Sequence, residues 1–545
     1  MPASSYFMQR IEKLTEIGIA LSAEKNIQRL LEMILLGAKS LTNADGGTLY
    51  SVDDDGTAVK MEIVRTDSLH FAMGGTSGEA IPFPPIPLYD NEGNPNNHMV
   101  VTYAVLNHQT VNIPDAYDAQ GFDFSGTKKF DSHTGYRSTS FLTVPLKNHE
   151  GDIIGVLQLL NAMDDENGAI IPFSDEAQRL TESLASQAAI ALTNRRLIED
   201  LKTLLESLIQ LIATAIDEKS PYTGGHCRRV PELTMLLADA ANQQESGPLK
   251  DFSMSEEDRY ELEMAAWLHD CGKITTPEYV VDKSTKLETI YDRMQLVETR
   301  YEVLRRDARI AMLEQRMAAL EAGQQPDDEA LQAAYQAQLA RMDEDLAFLD
   351  KCNVGGEFMS EGDQDRVRVI GRTHWQLNGE AQPLLSDDEI YNLTIAKGTL
   401  TPEERDVIQN HIVATIKMLE SLPFPKHLKN VPEYAGGHHE RIDGKGYPRG
   451  LTKADMSVQA RMMAIADIFE ALTARDRPYK KGKTLSEALR ILGFFKVDGH
   501  IDPDLFDIFI KEKLYAKYAE HHLEPHQIDE VDISQIPGVN PDMLA

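Results

Sequence analysis

The chain has 545 residues, and its 54 Lys and Arg against 87 Asp and Glu give a formal net charge of −33. The length indicates about three or four domain-sized units, since one hydrophobic core rarely serves so long a chain. Such an acidic protein is excluded as a general nucleic-acid binder, because attraction to phosphate needs a basic surface.

Three features of the sequence bear on the cellular compartment. Cys227, Cys271 and Cys352 are too few for a disulfide scaffold and fit a reducing compartment. The opening "MPASSYFMQRIEKLTEIG" lacks the basic segment and apolar core of a signal peptide. The apolar runs fall short of the ~20 residues that a membrane helix needs. We therefore expect a cytoplasmic protein without a membrane segment.

Residues 1–185 mix helical and strand patterns. The segment from Ile11 to Leu41 has the spacing of one or two amphipathic helices, and short apolar runs separated by turn residues follow it. The stretch "LTVPLKNHEGDIIGVLQLLN" is typical of a hairpin, because a glycine-containing loop joins two apolar strands. These patterns predict an α+β domain of sensor size.

Residues 186–217 carry a heptad pattern with apolar spacings of 4, 3, 4, 3 and 4. Its members are Leu197, Leu201, Leu204, Leu208, Leu211 and Ala215. The pattern has two interpretations: a dimerising signalling helix, or the core stripe of a helix that packs within its own domain. We favour the first, which predicts a homodimer, because the segment lies between two different folding patterns.

Residues 218–520 are predicted to be mostly helical, and 521–545 to form a C-terminal tail. An insertion at about 300–398, between Lys283 and Leu400, is rich in Ala, Leu, Glu, Gln and Arg and predicts a helical hairpin. The segment after the hairpin, still within the insertion, is "GGEFMSEGDQDRVRVIGRTHWQLNGEAQPLLSDDE", and it is predicted to be polar and irregular. We find no catalytic pattern in the insertion, and its role stays open.

Five motifs in the helical region supply side chains of the kinds that bind metals. They are His226, His269, Asp270, His411, His438, His439 and Asp467. Taken alone, His411 is typical of a core histidine, on the apolar side of a helix that begins with Thr401 as N-cap. Asp467 also lies on an apolar helix face, where a lone buried carboxylate would cost several kcal/mol. A metal ion removes that cost.

Taken together, five imidazoles and two carboxylates favour a metal centre over separate core residues. Imidazole suits Zn, Fe and Mn, and a carboxylate can bridge two such ions. The absence of a thiolate cluster in the sequence speaks against a structural zinc site. Seven ligands suit two metals with open positions, which can clamp the attacking and leaving oxygens of a phosphoryl transfer. Two cations would also supply positive charge that this acidic chain lacks.

The motifs "HDCGK", "HHERIDGKGYP" and "DIFEALTARDRPYK" resemble the signature of the HD-GYP family, a subdivision of the HD phosphohydrolases. The resemblance covers about residues 205–290 and 399–515. It implies an all-α phosphohydrolase domain that hydrolyses cyclic di-GMP to pGpG and often onward to GMP. It also implies iron or manganese as the metal, and an in-line attack by water on a phosphodiester phosphorus.

Position by position, the resemblance implies a role for each matching residue. His226, His269 and Asp467 would bind one metal, His411, His438 and His439 the other, and Asp270 would bridge them. Lys273 matches the lysine that contacts the scissile phosphate, so Asp270 and Lys273 are the expected catalytic residues. Tyr447, Arg477 and Lys480 match positions that hold the dinucleotide. Tyr222 stands where some relatives use a glutamate for a third metal, which favours two metals here.

The motifs "VNIPDAY", "DSHTGYRSTSFLTVPLKN" and "IIGVLQLLNAMDDENGAIIPFSDE" resemble a GAF domain of cyclic-nucleotide phosphodiesterases, over about residues 10–185. The resemblance implies a bound cyclic nucleotide, with Asn161, Asp131 and Thr134 as candidate contacts. Phe173 agrees with the "NK…F…DE" signature of that group, but Ala162 replaces its lysine. The alternative is a GAF domain that serves only for dimerisation.

The expected protein is therefore multidomain, with an α+β GAF sensor domain, a connecting signalling helix and an all-α HD-type domain that contains a helical insertion. Three hypotheses for its function stay open. The first is a GAF-regulated cyclic di-GMP phosphodiesterase, which the full set of metal ligands favours. The second is a cyclic-dinucleotide receptor or scaffold. The third is an HD phosphohydrolase that acts on cGAMP or pGpG.

Overall fold

The computed structural model describes residues 3–219, 225–355, 358–474 and 482–539. The chain divides into two compact units, Met1–Leu204 and Leu205–Ala545. The first is an α+β domain and the second is helical apart from one short hairpin in the insertion, so the expected fold class is confirmed. Among the described residues, no helix combines the length and apolar character needed to cross a membrane.

The first unit is built on an antiparallel sheet with strand order β3-β2-β1-β7-β6-β5, where β4 pairs with β2 and β8 with β7. Its elements are α1 (Ala3–Ala23), α2 (Ile27–Thr42), β1 (Ala44–Val52), β2 (Ala58–Thr66), β3 (Phe71–Gly74), β4 (Ile86–Pro87), α3 (Val100–Asn107), β5 (Val111–Ile113), α4 (Ser125–Thr134), β6 (Phe141–Lys147), β7 (Ile153–Met163) and β8 (Ile170–Ile171). The predicted hairpin is β6–β7, in which Leu142 pairs with Leu159.

Both faces of this sheet are covered. On one face, Leu35 and Ile34 of α2 pack with Leu49, Leu142 and Leu159 in an apolar core. On the other face, the residues of α3 pack with those of β1 and β7 in a second, smaller cluster. A sheet buried on both sides explains why its strands lack the strict apolar–polar alternation of a half-exposed sheet.

A single helix, α5 (Asp175–Lys219), carries the heptad pattern. Its first turns are buried in the core of the first unit through Leu180, Leu184 and Ala188. The seam leucines further along are instead exposed, by 49% at Leu197 and 64% at Leu204. These leucines therefore do not form a core stripe within the described chain, and dimerisation through this helix stays a prediction.

The second unit is a helical assembly that begins with the last part of α5 and continues with α6. Its elements are α6 (His226–Asn242), α7 (Glu256–Leu268), α8 (Glu278–Val281), α9 (Met294–Glu321), α10 (Asp328–Asn353), α11 (Glu361–Gly371), β9 (His374–Leu377), β10 (Glu380–Pro383), α12 (Asp387–Leu393), α13 (Pro402–Glu420), α14 (Val431–Gly436), α15 (Val458–Thr473), α16 (Leu485–Val497), α17 (Pro503–Lys511) and α18 (Leu514–His522). As predicted, α13 begins with Thr401 as N-cap, and Glu404 completes a capping box.

The insertion folds as a small subdomain with its own core. α9 and α10 form the predicted hairpin, and Tyr301 and Leu349 pack with residues of the segment that follows. That segment was predicted to be irregular, but it contains α11, the β9–β10 hairpin and α12. The prediction was wrong because few residues carry the packing: Val367, Ile370 and Leu384 are buried among otherwise polar neighbours.

A buried lysine ties the insertion to the helix that follows it. The Nζ atom of Lys283 donates to both carboxylate oxygens of Glu404, at 2.8 and 2.7 Å, and to Asn392 Oδ1 at 2.9 Å. Glu404 is thus both the capping residue of α13 and the partner of Lys283. The contact fixes the insertion against the start of the helix that carries His411.

Candidate metal centre

The seven predicted ligands converge in the second unit although they lie up to 241 positions apart in the sequence. His226 is the first residue of α6, His269 and Asp270 follow α7, and His438 and His439 follow α14. His411 lies within α13 and Asp467 within α15. The candidate ligands therefore lie within helices or next to helix ends, and none of them is carried by a long loop.

Three sets of three side chains offer atoms within 4.8 Å of one another, and one of them, His269, Asp270 and His438, takes its members from both sides of the cluster. The other two sets share no residue. One set is His226, His269 and Asp467, and the other is His411, His438 and His439. These are the two groups that the family resemblance implies.

Asp270 lies between the two sets, and its two carboxylate oxygens face opposite ways. Oδ2 is 3.1 Å from His226 Nε2 and 3.2 Å from His269 Nε2. Oδ1 is 3.2 Å from His411 Nε2 and 4.0 Å from His438 Nε2. A carboxylate in this position can contact both sets at once, as a bridging ligand must.

Three histidines are oriented by the same local device. The Nδ1 atoms of His269, His411 and His438 lie 2.7, 2.5 and 2.7 Å from the carbonyl oxygens of Ala266, Ile408 and Ala435, three residues earlier. An Nδ1–H that donates to a carbonyl leaves the Nε2 lone pair free to face the centre. Each ring is thus fixed in the tautomer that a metal requires.

His226, the first residue of α6, is oriented by a side chain. Its Nδ1 instead lies 2.5 Å from Oε2 of Glu470, and Oε1 of Glu470 accepts from Nε of Arg229 at 2.7 Å. Burial alone would raise the pKa of Glu470, but His226 and Arg229 lower it to about 2. An ionised carboxylate behind an imidazole holds the ring and strengthens it as a ligand.

Glu470 and Arg229 were missed by the sequence reasoning. A signal existed, since Glu470 lies one helical turn after Asp467 and therefore on the same face of α15. Arg229 lies one turn after His226 on α6 in the same way.

Three buried polar atoms of the cluster have no hydrogen-bond partner within the described ranges: Asp270 Oδ1, His411 Nε2 and His438 Nε2. A buried group left in this state costs about 1–3 kcal/mol. Burial lowers the pKa of His438 to about 4 and the pKa of His439 well below its usual value, so both rings are neutral at pH 7. Neutral imidazoles and a carboxylate around unpaired atoms fit divalent cations.

Lys273 lies at the edge of the cluster, where its Nζ atom donates to Asp270 Oδ2 at 2.5 Å. Burial would lower the pKa of this amine, but Asp270 and Asp467 raise it, so Lys273 stays an ammonium. The ring of Tyr447 stacks on His439 with centroids 4.8 Å apart. Two of the four predicted substrate contacts, Lys273 and Tyr447, therefore adjoin the candidate ligands.

The turn that holds Tyr447 is shaped by a close backbone approach. A Cβ atom at Gly446 would lie 2.3 Å from the backbone nitrogen of Arg441, so only glycine fits. The buried carboxylate of Glu440 accepts from the backbone N–H groups of Arg449 and Leu451, at 2.7 and 2.9 Å. This turn fixes the Tyr447 ring against the cluster.

Some predicted residues lie elsewhere. Arg477, Lys480 and Tyr222 fall outside the described residues. In the first unit, Asp131 accepts from Ser138 and Tyr117, and Asn161 accepts from Thr139 N at 2.7 Å.

Thr134 is exposed, and its hydroxyl donates to Phe130 O within α4. The binding of a cyclic nucleotide by Asp131, Thr134 and Asn161 stays a prediction.

Comparison with known families agrees with this division of the chain. Residues 26–192 match the GAF domain, and residues 223–352 and 387–505 each match an HD domain model. The chain therefore consists of a GAF domain followed by a helical HD domain.

Similar proteins are found among bacterial enzymes. A cyclic di-GMP phosphodiesterase of Pseudomonas aeruginosa is 40% identical over 114 residues, which are 21% of this chain and 26% of that protein. The 3'3'-cGAMP-specific phosphodiesterase 1 of Vibrio cholerae is 44% identical over 81 residues, or 15% and 19%. A cyclic di-GMP phosphodiesterase of Thermotoga maritima is 36% identical over 120 residues, or 22% and 32%. The chain thus spans less than a third of each of these relatives.

Proposed function

We propose that this chain is a metal-dependent phosphodiesterase that hydrolyses cyclic di-GMP to pGpG, and further to GMP, under the control of its GAF domain. The observation that carries the proposal is Asp270, whose two oxygens face two separate sets of imidazoles. The names of the relatives from Pseudomonas and Thermotoga support the same substrate.

Two divalent ions, iron or manganese, would be held by the described residues. His226, His269 and Asp467 would bind one, and His411, His438 and His439 the other, with Asp270 shared. When bound, such ions supply Lewis acidity to the phosphodiester and to the attacking water. The unpaired atoms Asp270 Oδ1, His411 Nε2 and His438 Nε2 support this assignment.

The remaining chemistry falls to the side chains around the ligands. The Lys273 ammonium, 23% exposed at the edge of the cluster, would offset the charge that develops on the phosphoryl oxygens. Tyr447 would present its ring beside the phosphodiester and hold the dinucleotide. Arg477 and Lys480 are proposed to contact the substrate as well, on the resemblance alone.

A second candidate substrate is 3'3'-cGAMP. The relative from Vibrio cholerae that is 44% identical is named for that specificity. The same metal centre can serve both cyclic dinucleotides, since they share the phosphodiester and differ in one base. Under the receptor hypothesis, the same cluster would be present but the bound cyclic dinucleotide would not be hydrolysed.

One set of measurements tests the function. We would measure bound iron and manganese in the purified chain and follow the turnover of cyclic di-GMP, cGAMP and pGpG, with and without cAMP or cGMP. Asp270→Asn is the test variant, and Asp239→Asn is the control, because Asp239 lies on the surface of the same unit and pairs with Arg259. No turnover of any substrate by the metal-loaded wild type would support the receptor hypothesis instead.

The proposal includes a homodimer formed through the connecting helix and the GAF domain. The exposed fractions of Leu201 and Leu204, 64% each, and of Leu208, 51%, support it, because a heptad seam in water favours a second helix. Leu201→Glu with Leu208→Glu should yield a monomer by light scattering, whereas Glu199→Gln on the same helix should not. A dimer that survives the double substitution would contradict this part.

A further inference from the structure

Helix α9 of the insertion has two apolar faces, and α10 covers only one of them. Tyr301 and Ala308 lie on the covered face, where they are 2% and 6% exposed. Outside the covered face, four large side chains remain open to solvent in the described chain, although Leu313 also borders a cleft with Leu331 and Gln332 of α10. They are Ile310 (51% exposed), Leu313 (41%), Met317 (59%) and Leu320 (56%).

The four exposed side chains, which we call the α9 seam, are spaced 3, 4 and 3 residues apart. That spacing is the a/d pattern of a coiled coil, with Ile310 and Met317 at a and Leu313 and Leu320 at d. Aliphatic residues at these positions favour a second helix over a flat surface. The covered face cannot serve this purpose, because it is occupied by α10.

The charges beside the α9 seam indicate what that second helix is. The two g positions are Arg309 and Arg316, and the two e positions that follow are Glu314 and Glu321. In a parallel, in-register pair, a g residue of one helix faces the next e residue of the other. Two identical helices would then place Arg309 against Glu314, and Arg316 against Glu321, on both sides.

An antiparallel pair would have the opposite result. It brings g beside g and e beside e, so arginine would face arginine and glutamate would face glutamate. Arg316 also donates to both carboxylate oxygens of Asp328 of α10, at 2.8 and 3.3 Å, but both side chains are at least half exposed, and such a surface ion pair is weak enough to exchange for one across the seam. The pattern is therefore self-complementary in the parallel orientation.

We propose that α9 of one copy packs against α9 of a second copy of this chain, parallel and in register, through residues 309–321. The contact does not extend N-terminally beyond residue 309. There Arg306 would occupy the preceding d position, and Glu302 would face the like charge of Asp307. About two heptads are short for a coiled coil, and the area lies below the ~800 Å² per partner of a stable interface. The contact is therefore weak and depends on protein concentration. It is independent of the proposed hydrolysis.

Cysteine cross-linking of the full-length chain tests the register directly. Leu313→Cys would be made with Cys352→Ser, which removes the one cysteine that is not buried. A parallel, in-register pair brings the two copies of position 313 within disulfide reach. We expect covalent dimers to form at least several-fold faster than with Gln315→Cys, an exposed position away from the α9 seam. Equal rates for the two variants would overturn the proposal.

A charge exchange tests the orientation and the identity of the partner. In the Leu313→Cys background, Arg316→Glu or Glu321→Arg alone places like charges across the seam and should slow cross-linking. Two differently tagged chains, one with each substitution, should restore it when co-expressed, because each g position of the mixed pair then faces an e position of opposite charge. Lack of restoration would overturn the parallel pairing. Because the disulfide reports only on α9, the result does not depend on dimerisation through α5 or on any enzymatic activity.

Discussion

Asp131 of the GAF domain and Asp270 of the HD domain are buried to a similar degree, with 4% and 1% exposed. Asp131 accepts hydrogen bonds from Ser138 N, Ser138 Oγ and Tyr117 OH, each at 2.8 Å. Asp270 presents one oxygen, Oδ1, that accepts no hydrogen bond from the described residues. Burial of a carboxylate therefore does not by itself identify a ligand. What marks Asp270 as a candidate ligand is an unmatched oxygen that faces imidazole nitrogens.

The two arrangements have different energetic consequences. The carboxylate of Asp131 holds the segment after α4, so its hydrogen bonds contribute to the stability of the fold. The carboxylate of Asp270 is held near unpaired nitrogens, and a bound cation would recover the free energy that this costs. Substitution of the two residues should accordingly change different properties of the protein.

The largest effect is expected for Asp270→Ala. Because Asp270 faces both sets of histidines, its loss should abolish metal loading and hydrolysis together, with turnover at least about 100-fold lower. Metal analysis and a cyclic di-GMP assay on the same sample measure both. The matched control is Asp131→Ala, which should keep its metal. Wild-type-like turnover by a correctly folded Asp270→Ala protein would contradict the two-metal assignment.

The second prediction concerns the stability of the GAF domain. Asp131→Ala leaves three donors without an acceptor, two of them in Ser138, and should lower the free energy of unfolding of this domain by about 2–4 kcal/mol. Urea unfolding followed by far-UV circular dichroism measures it. Asp123→Ala is the control, since Asp123 is exposed. An unchanged urea midpoint for Asp131→Ala would show that the hydrogen bonds of Asp131 do not stabilise this domain, contrary to the difference drawn from Asp270.

The clustering of the candidate ligands could be predicted from the sequence, because the motifs that carry them resemble those of one family. The capping box of α13 and the insertion hairpin were predictable for local reasons, since both depend on neighbouring residues. Glu470 was not found, because its role depends on the packing of α15 against α6, which brings it to His226 across 244 positions of sequence. The β9–β10 hairpin was missed because its strands are mostly exposed and polar.

A third prediction sharpens the comparison within the HD domain itself. Glu470→Gln removes the charge behind His226 while keeping the shape, and should weaken metal binding about 10–100-fold. Competition with a chelator measures the affinity, and the melting temperature of the metal-free protein reports on folding.

Glu261→Gln is the control for this variant. Glu261 is also a buried carboxylate of the second unit, but it accepts from Asn430 N at 2.6 Å, remote from the ligand set. This control substitution should lower the melting temperature and leave the metal affinity unchanged. Glu470→Asp should restore part of the affinity. Equal affinities of Glu470→Gln and the wild type would show that Glu470 has a purely structural role.

The smallest effect is expected for another buried carboxylate, Glu389 of the insertion, which resembles Asp131 in having its partners in place. Burial would raise the pKa of Glu389, but hydrogen bonds from Arg300, at 2.7 and 3.1 Å, lower it below its usual value of 4.5. A lowered pKa means that this stabilisation is fully present above pH 4.5 and is lost as the pH falls through the pKa of the folded state. Glu389→Gln should therefore cost on the order of 1 kcal/mol at pH 7 and nothing at a pH well below that range. Limited proteolysis of the insertion at both pH values measures the difference. If Glu389→Gln also lowers the stability of the insertion in acid, then packing rather than charge makes Glu389 necessary.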